Sequence, residues 1–329
     1  MKIMLAGVFN VPWSTGLFMK KHLERLGHQV LQFEIDRAHP APMGPAGRLS
    51  FKIKTSLALR GLEKRLLHMA ESLRPEVVVV MKGKNLDPAC TRQLSQNSLV
   101  AYRYMDAPLH SYVVAHAMAS QVTFVTGAHA VEPLASATGK ANVFQLFEGC
   151  DPDIHKPGAM DGEYSCDIAF AGAPAGDRIE LLKACQKAGY KVKIWGQPGW
   201  PKGLEYTGKY AYNADFAKVC ASAKIVLGVN SCNTCRGYFS DRAFLTLACR
   251  GFYLVHYVPG LEDYFVNRRH LVWFKDQTEM LGIINRYLND LEARTGIAKD
   301  GQQLVYQKYT WEKSVNRMLE HMKKLRGEG

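Results

Sequence analysis

Two arginines, each beside glycine or serine, set out the chemistry this chain could do. The string Asp167-Ile-Ala-Phe-Ala-Gly-Ala-Pro-Ala-Gly-Asp-Arg178 reads as a strand, a Gly-rich turn and the start of a helix. Free backbone N–H groups at such a turn, with a helix dipole behind them, favour a phosphate, and Arg178 could add a bidentate contact. The pattern is not the full Gly-x-Gly-x-x-Gly dinucleotide fingerprint, and Gly172 and Gly176 could merely make a tight turn. A second string, Phe239-Ser240-Asp241-Arg242-Ala243-Phe244, puts Ser240 and Arg242 just ahead of another helix. A hydroxyl, a guanidinium and the helix N–H groups make a plausible diphosphate site.

Two other stretches carry groups for an attacking hydroxyl. Tyr102-Arg-Tyr-Met-Asp106-Ala-Pro108 follows a buried strand. A carboxylate at the C-terminal edge of a parallel sheet is well placed to take a proton, although Asp106 could equally cap the next helix. His110, one turn on, is the second candidate base. The loop from Gly7 to Gly16 holds Asn10, Trp13, Ser14 and Thr15, and a Trp in a polar loop either stacks on a sugar or base or simply seals the loop. Cys232-Asn-Thr-Cys235 lacks the second ligand pair of a structural zinc site, and its position does not suit a thioredoxin-like role. No metal site is expected.

The elements that must position these groups alternate between strand and helix. Lys2 to Val8 is an apolar run, Leu17 to Leu26 has helical spacing, and Val30 to Ile35 is a second strand. Residues 38–50, rich in Ala, Pro and Gly, read as a long loop, and Leu57 to Leu73 as an amphipathic helix. Val77 to Met81 is the β-branched run of a strand buried on both faces, and Leu99 to Tyr104 and Val122 to Thr126 repeat it. Val143 to Leu146 is a weaker case. Residues 148–165 hold two prolines and three glycines and form the candidate linker. A second alternation follows: strands at 167–171, 191–195, 224–229 and 252–255, helices at 177–188, 214–222 and 242–249. A turn at Pro259-Gly260 opens the next helix, a single long helix covers about 278–295, and a last one starts at Trp311. The whole reads as two parallel α/β domains.

Bulk composition narrows the class. The 329 residues suffice for two cores, and 47% hydrophobic with 22% charged residues is ordinary for a globular protein. No apolar run approaches the ~20 residues of a membrane span. The eight cysteines are expected to be reduced thiols in a cytoplasmic protein. The formal charge of +12 is the unusual property. Residues 1–150 carry 17 Lys and Arg against 10 Asp and Glu. Arg48, Lys52, Lys54, Arg60, Lys64 and Arg65 have only Glu63 among them as counter-charge. Such a face suits a polyanion, or is a solvated surface with no such role.

Ser240-x-Arg242-x-Phe244, Ala248-Cys249-x-Gly251-Phe252 and Gly260-Leu261-Glu262 together resemble the C-terminal signature of CgeB-type glycosyltransferases. Asp167-x-x-Phe170-x-Gly172 with Arg178, and Tyr309-Thr310-Trp311, match elements of the same family, and Asp106-x-Pro108 matches more loosely. The resemblance implies the GT-B fold, two Rossmann-like doubly wound domains with an interdomain cleft. Residues 1–150 would take the acceptor and 166–310 the nucleotide-sugar, with the helix 311–329 packing back on the first domain. It implies transfer of a sugar from a nucleoside diphosphate sugar to a hydroxyl, with no cofactor beyond that donor. Gly172, Arg178, Gly196, Ser240, Asp241, Arg242, Gly260, Leu261 and Glu262 would bind the donor. Asp106 or His110 would act as base, and Asn10, Trp13, Ser14 and Thr15 would meet the acceptor. The chain departs from the family at Leu245, where a Glu for the ribose is usual, and at Arg250, where a Gly is usual. Ribose recognition must then shift, for instance to Asp241 or Glu262. The net charge and Leu245 keep two variants open: an anionic acceptor such as hydroxymethylated DNA, and a non-catalytic nucleotide- or nucleic-acid-binding protein on the same scaffold.

Overall fold

Val77–Met81, with every side chain buried, forms a strand (β3) at the heart of a six-stranded sheet. The computed structural model describes residues 1–35 and 45–328, the side chains of 45–57 excepted. The side chains of Arg48, Lys52 and Lys54, and residues 38–44 of the loop expected at 38–50, lie outside the described residues. The other strands of this sheet are β1 (Lys2–Gly7), β2 (Gln29–Glu34), β4 (Leu99–Tyr104), β5 (Val122–Val125) and β6 (Val143–Gln145). They run parallel in the order β2-β1-β3-β4-β5-β6. Both faces are covered by helices, α1 (Thr15–Arg25), α2 (Pro45–Leu73), α3 (Pro88–Leu94), α4 (Ser111–Ala119) and α5 (Val131–Thr138), which is why the central strands are apolar throughout. Residues 45–50, expected in the long loop, belong to α2. Pro45 is its first residue, where a missing N–H costs nothing.

The second sheet has five parallel strands, β7 (Cys166–Gly172), β8 (Val192–Gly196), β9 (Ala223–Gly228), β10 (Tyr253–His256) and β11 (Val272–Phe274), in the order β11-β10-β9-β7-β8. Its helices are α6 (Arg178–Lys187), α7 (Ala214–Ser222), α8 (Arg242–Ala248), α9 (Gln277–Leu288) and α10 (Leu291–Lys308). The single helix expected over 278–295 is two. Asp290 takes the Ala293 N–H as a cap, and the Arg294 guanidinium covers the Tyr287 and Leu288 carbonyls that end α9. The turn at Pro259-Gly260 leads only into the 3-10 turn Leu261–Asp263, not into a helix.

The chain divides into two compact units. One comprises Met1–Thr126, Ala130–Leu146 and Val315–Gly329, the other Gly127–His129 and Phe147–Ser314. The chain passes from the second unit back to the first inside one helix, α11 (Trp311–Leu325). Its first turn is tied to the second unit, where the Ser314 hydroxyl donates to the Phe147 carbonyl at 2.5 Å. Further on, the His321 ring stacks 3.7 Å from Phe144 in the first. Arg326 then reaches Glu76 Oε2 at 2.6 Å, while Glu76 Oε1 takes the Lys2 N–H at 2.8 Å.

Not all eight cysteines are free. Cys232 and Cys235 form a disulfide, and the other six are buried thiols. The expectation of reduced thiols therefore fails for this pair, whose separation of three residues lets one tight turn bring the two sulfurs together. No helix among the described residues is long and apolar enough to cross a membrane.

Candidate anion site at the strand-order reversal

In the second unit the strand order reverses between β7 and β9, since β8 follows β7 on one side and β9, β10 and β11 extend the other. Crevices outside the C-terminal ends of strands at such a point are where open α/β sheets take ligands. Both candidate arginines converge there. Arg178, 7% exposed, donates from Nε to the Val229 carbonyl at 3.0 Å and from Nη1 to Ala173 at 2.9 Å. Arg242 donates from Nη2 to the same Val229 carbonyl at 3.0 Å, from Nη1 to Ala171 at 2.6 Å and from Nε to Ser240 Oγ at 3.2 Å. The Phe170 ring lies against both guanidiniums, 5.7 Å from Arg178 and 5.3 Å from Arg242.

Neither arginine pairs with a carboxylate among the described residues, so two cations share one carbonyl and one ring. Burial, and then the like charge of Arg242, push Arg178 down to about 10. Buried charges are ordinarily paired. A guanidinium has five N–H bonds; Arg178 spends two and Arg242 three on the protein, so donors remain on both. The turn between β7 and α6 adds more. Among the described residues the backbone N–H groups of Ala173, Ala175, Gly176 and Asp177 donate to nothing. The arrangement can hold a multiply charged anion.

The glycines make room for it. A Cβ on Gly172 would lie 2.4 Å from Arg242 Nη1, and one on Gly196 would lie 2.4 Å from the Gly172 carbonyl. Gly196 also has φ of +119°, which only glycine adopts readily. Ser240 is placed by its own N–H, which donates to Asn230 Oδ1 at 2.9 Å. Asp241 sits at the start of α8 without a side-chain cap bond.

The remaining donor candidates are dispersed. Leu261 is 1% exposed and part of the hydrophobic core, so its side chain is not available to a ligand. Gly260 takes a left-handed φ of 84° that starts the Leu261–Asp263 turn. Glu262 is exposed and receives the Tyr257 hydroxyl on both oxygens, at 3.1 and 3.0 Å. Its own backbone N–H, then that hydroxyl, hold its carboxyl below the usual range. Leu245 packs partly buried against the core.

In the first unit the order reverses between β1 and β3. Asp106 lies past the end of β4 and pairs with Lys82 Nζ at 2.8 Å, both side chains about half exposed. It does not cap a helix, because α4 begins at Ser111 with His110 as its N-cap. Pro108 explains the delay, since the residue before a proline is driven away from helical backbone. Lys82 holds a left-handed φ of 59°. Its N–H donates to the Arg103 carbonyl at 2.8 Å and its carbonyl accepts from the Tyr102 hydroxyl at 2.7 Å. The exposed His110 ring stacks on Tyr112 with centroids 5.7 Å apart. In the first loop, Ser14 is the N-cap of α1, accepting from the Gly16 N–H and donating to the Val8 carbonyl. It is 5% exposed, so it serves the loop and not an acceptor. Thr15 opens α1, while Asn10 and Trp13 are exposed. Among the described residues no group of three or more His, Cys, Asp or Glu could hold a metal ion.

Sequence reasoning passed over Phe170, Asn230, Lys82 and the Val229 carbonyl. Phe170 stood inside the quoted motif and could have been read as the platform of two arginines. A backbone carbonyl shared by two side chains leaves no trace in residue types.

Comparison with known proteins bears on the same region. The model of a family described as glycosyl transferase-like matches residues 178–320, which include Arg178, Ser240 and Arg242. No curated relative matches the sequence. Among solved structures, a sucrose-phosphate synthase from Thermosynechococcus elongatus is similar with a TM-score of 0.74 at 13% identity, over 100% of both chains. A glycosyltransferase from Rickettsia africae ESF-5 follows with 0.70 at 8% identity, over 100% of this chain and 99% of that one. HepE of Anabaena, in complex with UDP-glucose, gives 0.68 at 13% identity, over 98% of this chain and 100% of its own. At these identities the likeness shows the fold, the two parallel-sheet domains of the GT-B architecture.

Proposed function

We propose that this chain is a CgeB-type, nucleotide-sugar-dependent glycosyltransferase that moves a sugar from a nucleoside diphosphate sugar to a hydroxyl. The observation that carries the reading is the pair Arg178 and Arg242, two cations on one carbonyl with no carboxylate partner among the described residues. A diphosphate is the counter-ion they lack. Charge grows on the leaving diphosphate as the glycosyl bond breaks, and fixed donors stabilise it there. The glycosyl transferase-like match and the UDP-glucose held by HepE support the same reading. With Leu245 packed on the core, Glu262 is the carboxylate we assign to the ribose hydroxyls. Asp106 is the base for the attacking hydroxyl. Lys82 Nζ, 2.8 Å away, fixes the position of its carboxylate past the end of β4.

Calorimetric titration with UDP tests the donor site. Arg178→Ala and Arg242→Ala should each weaken binding by about 1.5–3 kcal/mol, the scale of a charged hydrogen bond. Undiminished affinity in both variants rejects the reading. Asp106→Asn should keep UDP affinity and lower turnover by ~100-fold or more. Equal turnover, or a product of retained configuration, removes Asp106 from the role of base. A protein that binds UDP yet transfers no sugar would be the non-catalytic variant that Leu245 suggests.

One observation favours an anionic acceptor as a second reading. Glu63, the counter-charge in the basic run, turns away to accept the Asp87 N–H at 2.6 Å. Arg60, Lys64 and Arg65 are left exposed on α2 with no ion pair among the described residues. Binding to a short DNA duplex should then fall steeply with salt and flatten when all three become Gln. No binding at low salt would assign the protein a neutral acceptor.

A further inference from the structure

The cysteines fall into two populations. Six are buried free thiols, and burial pushes Cys90, Cys150, Cys166 and Cys185 up to about 12, so they are inert near neutrality. Cys232 and Cys235 are only half-buried and bonded to each other, within reach of an external thiol. The turn they close is joined to the anion site by an unbroken series of hydrogen bonds. Asn233, inside the bridged turn, accepts the Asn230 N–H on Oδ1 at 3.2 Å. Asn230, 3% exposed, accepts the Ser240 N–H on its own Oδ1 at 2.9 Å. Ser240 Oγ then accepts from Arg242 Nε at 3.2 Å, and Arg242 Nη2 meets Arg178 on the Val229 carbonyl.

We propose that Cys232–Cys235 is a thiol–disulfide switch on the Arg178–Arg242 anion site, and that the oxidised form is the one that binds. The inference rests on reading that site as a nucleoside diphosphate site. The reductant is a dithiol. One of its thiolates attacks one sulfur of the pair, which forms a mixed disulfide and expels the other cysteine as a thiolate. Its second thiol then attacks the reductant's own sulfur in that mixed disulfide and releases the first cysteine. Two electrons and two protons pass to Cys232 and Cys235, which become thiols, and the reductant leaves as a disulfide. The unbonded sulfurs separate to van der Waals contact and the turn opens. Asn233 loses its place, Asn230 loses its N–H partner, and Ser240 no longer fixes Arg242. A permanent brace would make the same bonds without answering to reductant, so the difference between the two is measurable.

The experiment titrates UDP into the full chain, oxidised and after reduction by a small dithiol, alongside Cys232→Ser/Cys235→Ser and Asn233→Ala. Reduction should weaken UDP binding about tenfold, the effect of freeing one charged contact. The double variant should bind like the reduced protein whether or not dithiol is present, and Asn233→Ala should be weakened while still oxidised. Equal affinity of oxidised and reduced protein overturns the switch and leaves the donor site standing. A loss on reduction that persists in the double variant also overturns it, by placing the effect at other thiols. No UDP binding by either form rejects the donor site itself, and the switch with it.

Discussion

Arg250 occupies a backbone position made for glycine. It follows the C-cap of α8 with φ of 59°, where a side chain costs roughly 1–2 kcal/mol. The guanidinium offsets this by donating from Nε and Nη2 to Gln302 Oε1, at 2.9 and 2.7 Å. Charged hydrogen bonds contribute about 1.5–3 kcal/mol, and Gln302 is buried, so its oxygen would be left unmet. Arg250→Gly should therefore lower stability by about 1 kcal/mol in spite of its better backbone. Pairing it with Gln302→Leu should recover most of the loss in urea denaturation. A single variant more stable than the parent would show that the backbone term wins. Sequence comparison marked position 250 as a departure, but the compensating partner lies 52 residues on and was not visible. Asp106 is the reverse case. Its cap-or-base ambiguity was real in the sequence and depended on where α4 begins, a boundary that Pro108 moved.

The elements themselves were largely legible. Runs of Val, Ile and Leu gave every strand of both sheets but β11, which at three residues is too short to stand out, and the strand, Gly-rich turn and helix around Arg178 were read in that order. Strand order was not legible, because pairing between distant strands leaves no local pattern, and strand order is what brings Arg178 and Arg242 to one carbonyl. The break between α9 and α10 was missed since the apolar spacing continues across Asn289 and Asp290, and only the side chains of Asp290 and Arg294 end one helix and start the next. The close approach at β7 yields a prediction that separates binding from folding. In Gly172→Ala the new methyl would strike the tip of Arg242, a flexible group that can swing aside. Melting temperature should change by no more than a few degrees, whereas UDP affinity should drop roughly tenfold as Arg242 leaves its three acceptors. Loss of both in parallel would mean that Arg242 braces the sheet and is not held for a ligand.

At the scale of the molecule, histidines set the response to acid. His28, His116, His129, His270 and His321 all titrate below the ordinary value of 6.5, with burial the leading cause in each. His116 is the most constrained. Its Nε2 faces the Gly83 carbonyl and must carry the proton, so Nδ1 accepts from the Thr91 hydroxyl. Between the depressed values and 6.5 the unfolded chain binds more protons than the folded one. Stability is therefore fully present above 6.5 and is lost as pH falls through the folded values. Melting temperature should decline from about pH 7 to about pH 5, and His116→Gln should start lower but decline less steeply. A pH-independent melting temperature over that range would contradict the assignment of neutral buried rings.

Glu76 joins Lys2, in the first strand, to Arg326, near the other end of the described chain. Between those two partners the ribosome must make every residue of the second unit. Until it has done so, the first unit lacks Val315, Met318, Leu319 and Met322, all buried in the finished protein. A nascent chain arrested at the end of α10 therefore carries a complete six-stranded sheet with one apolar flank bare to water. The unit that is synthesised first is the one that closes last.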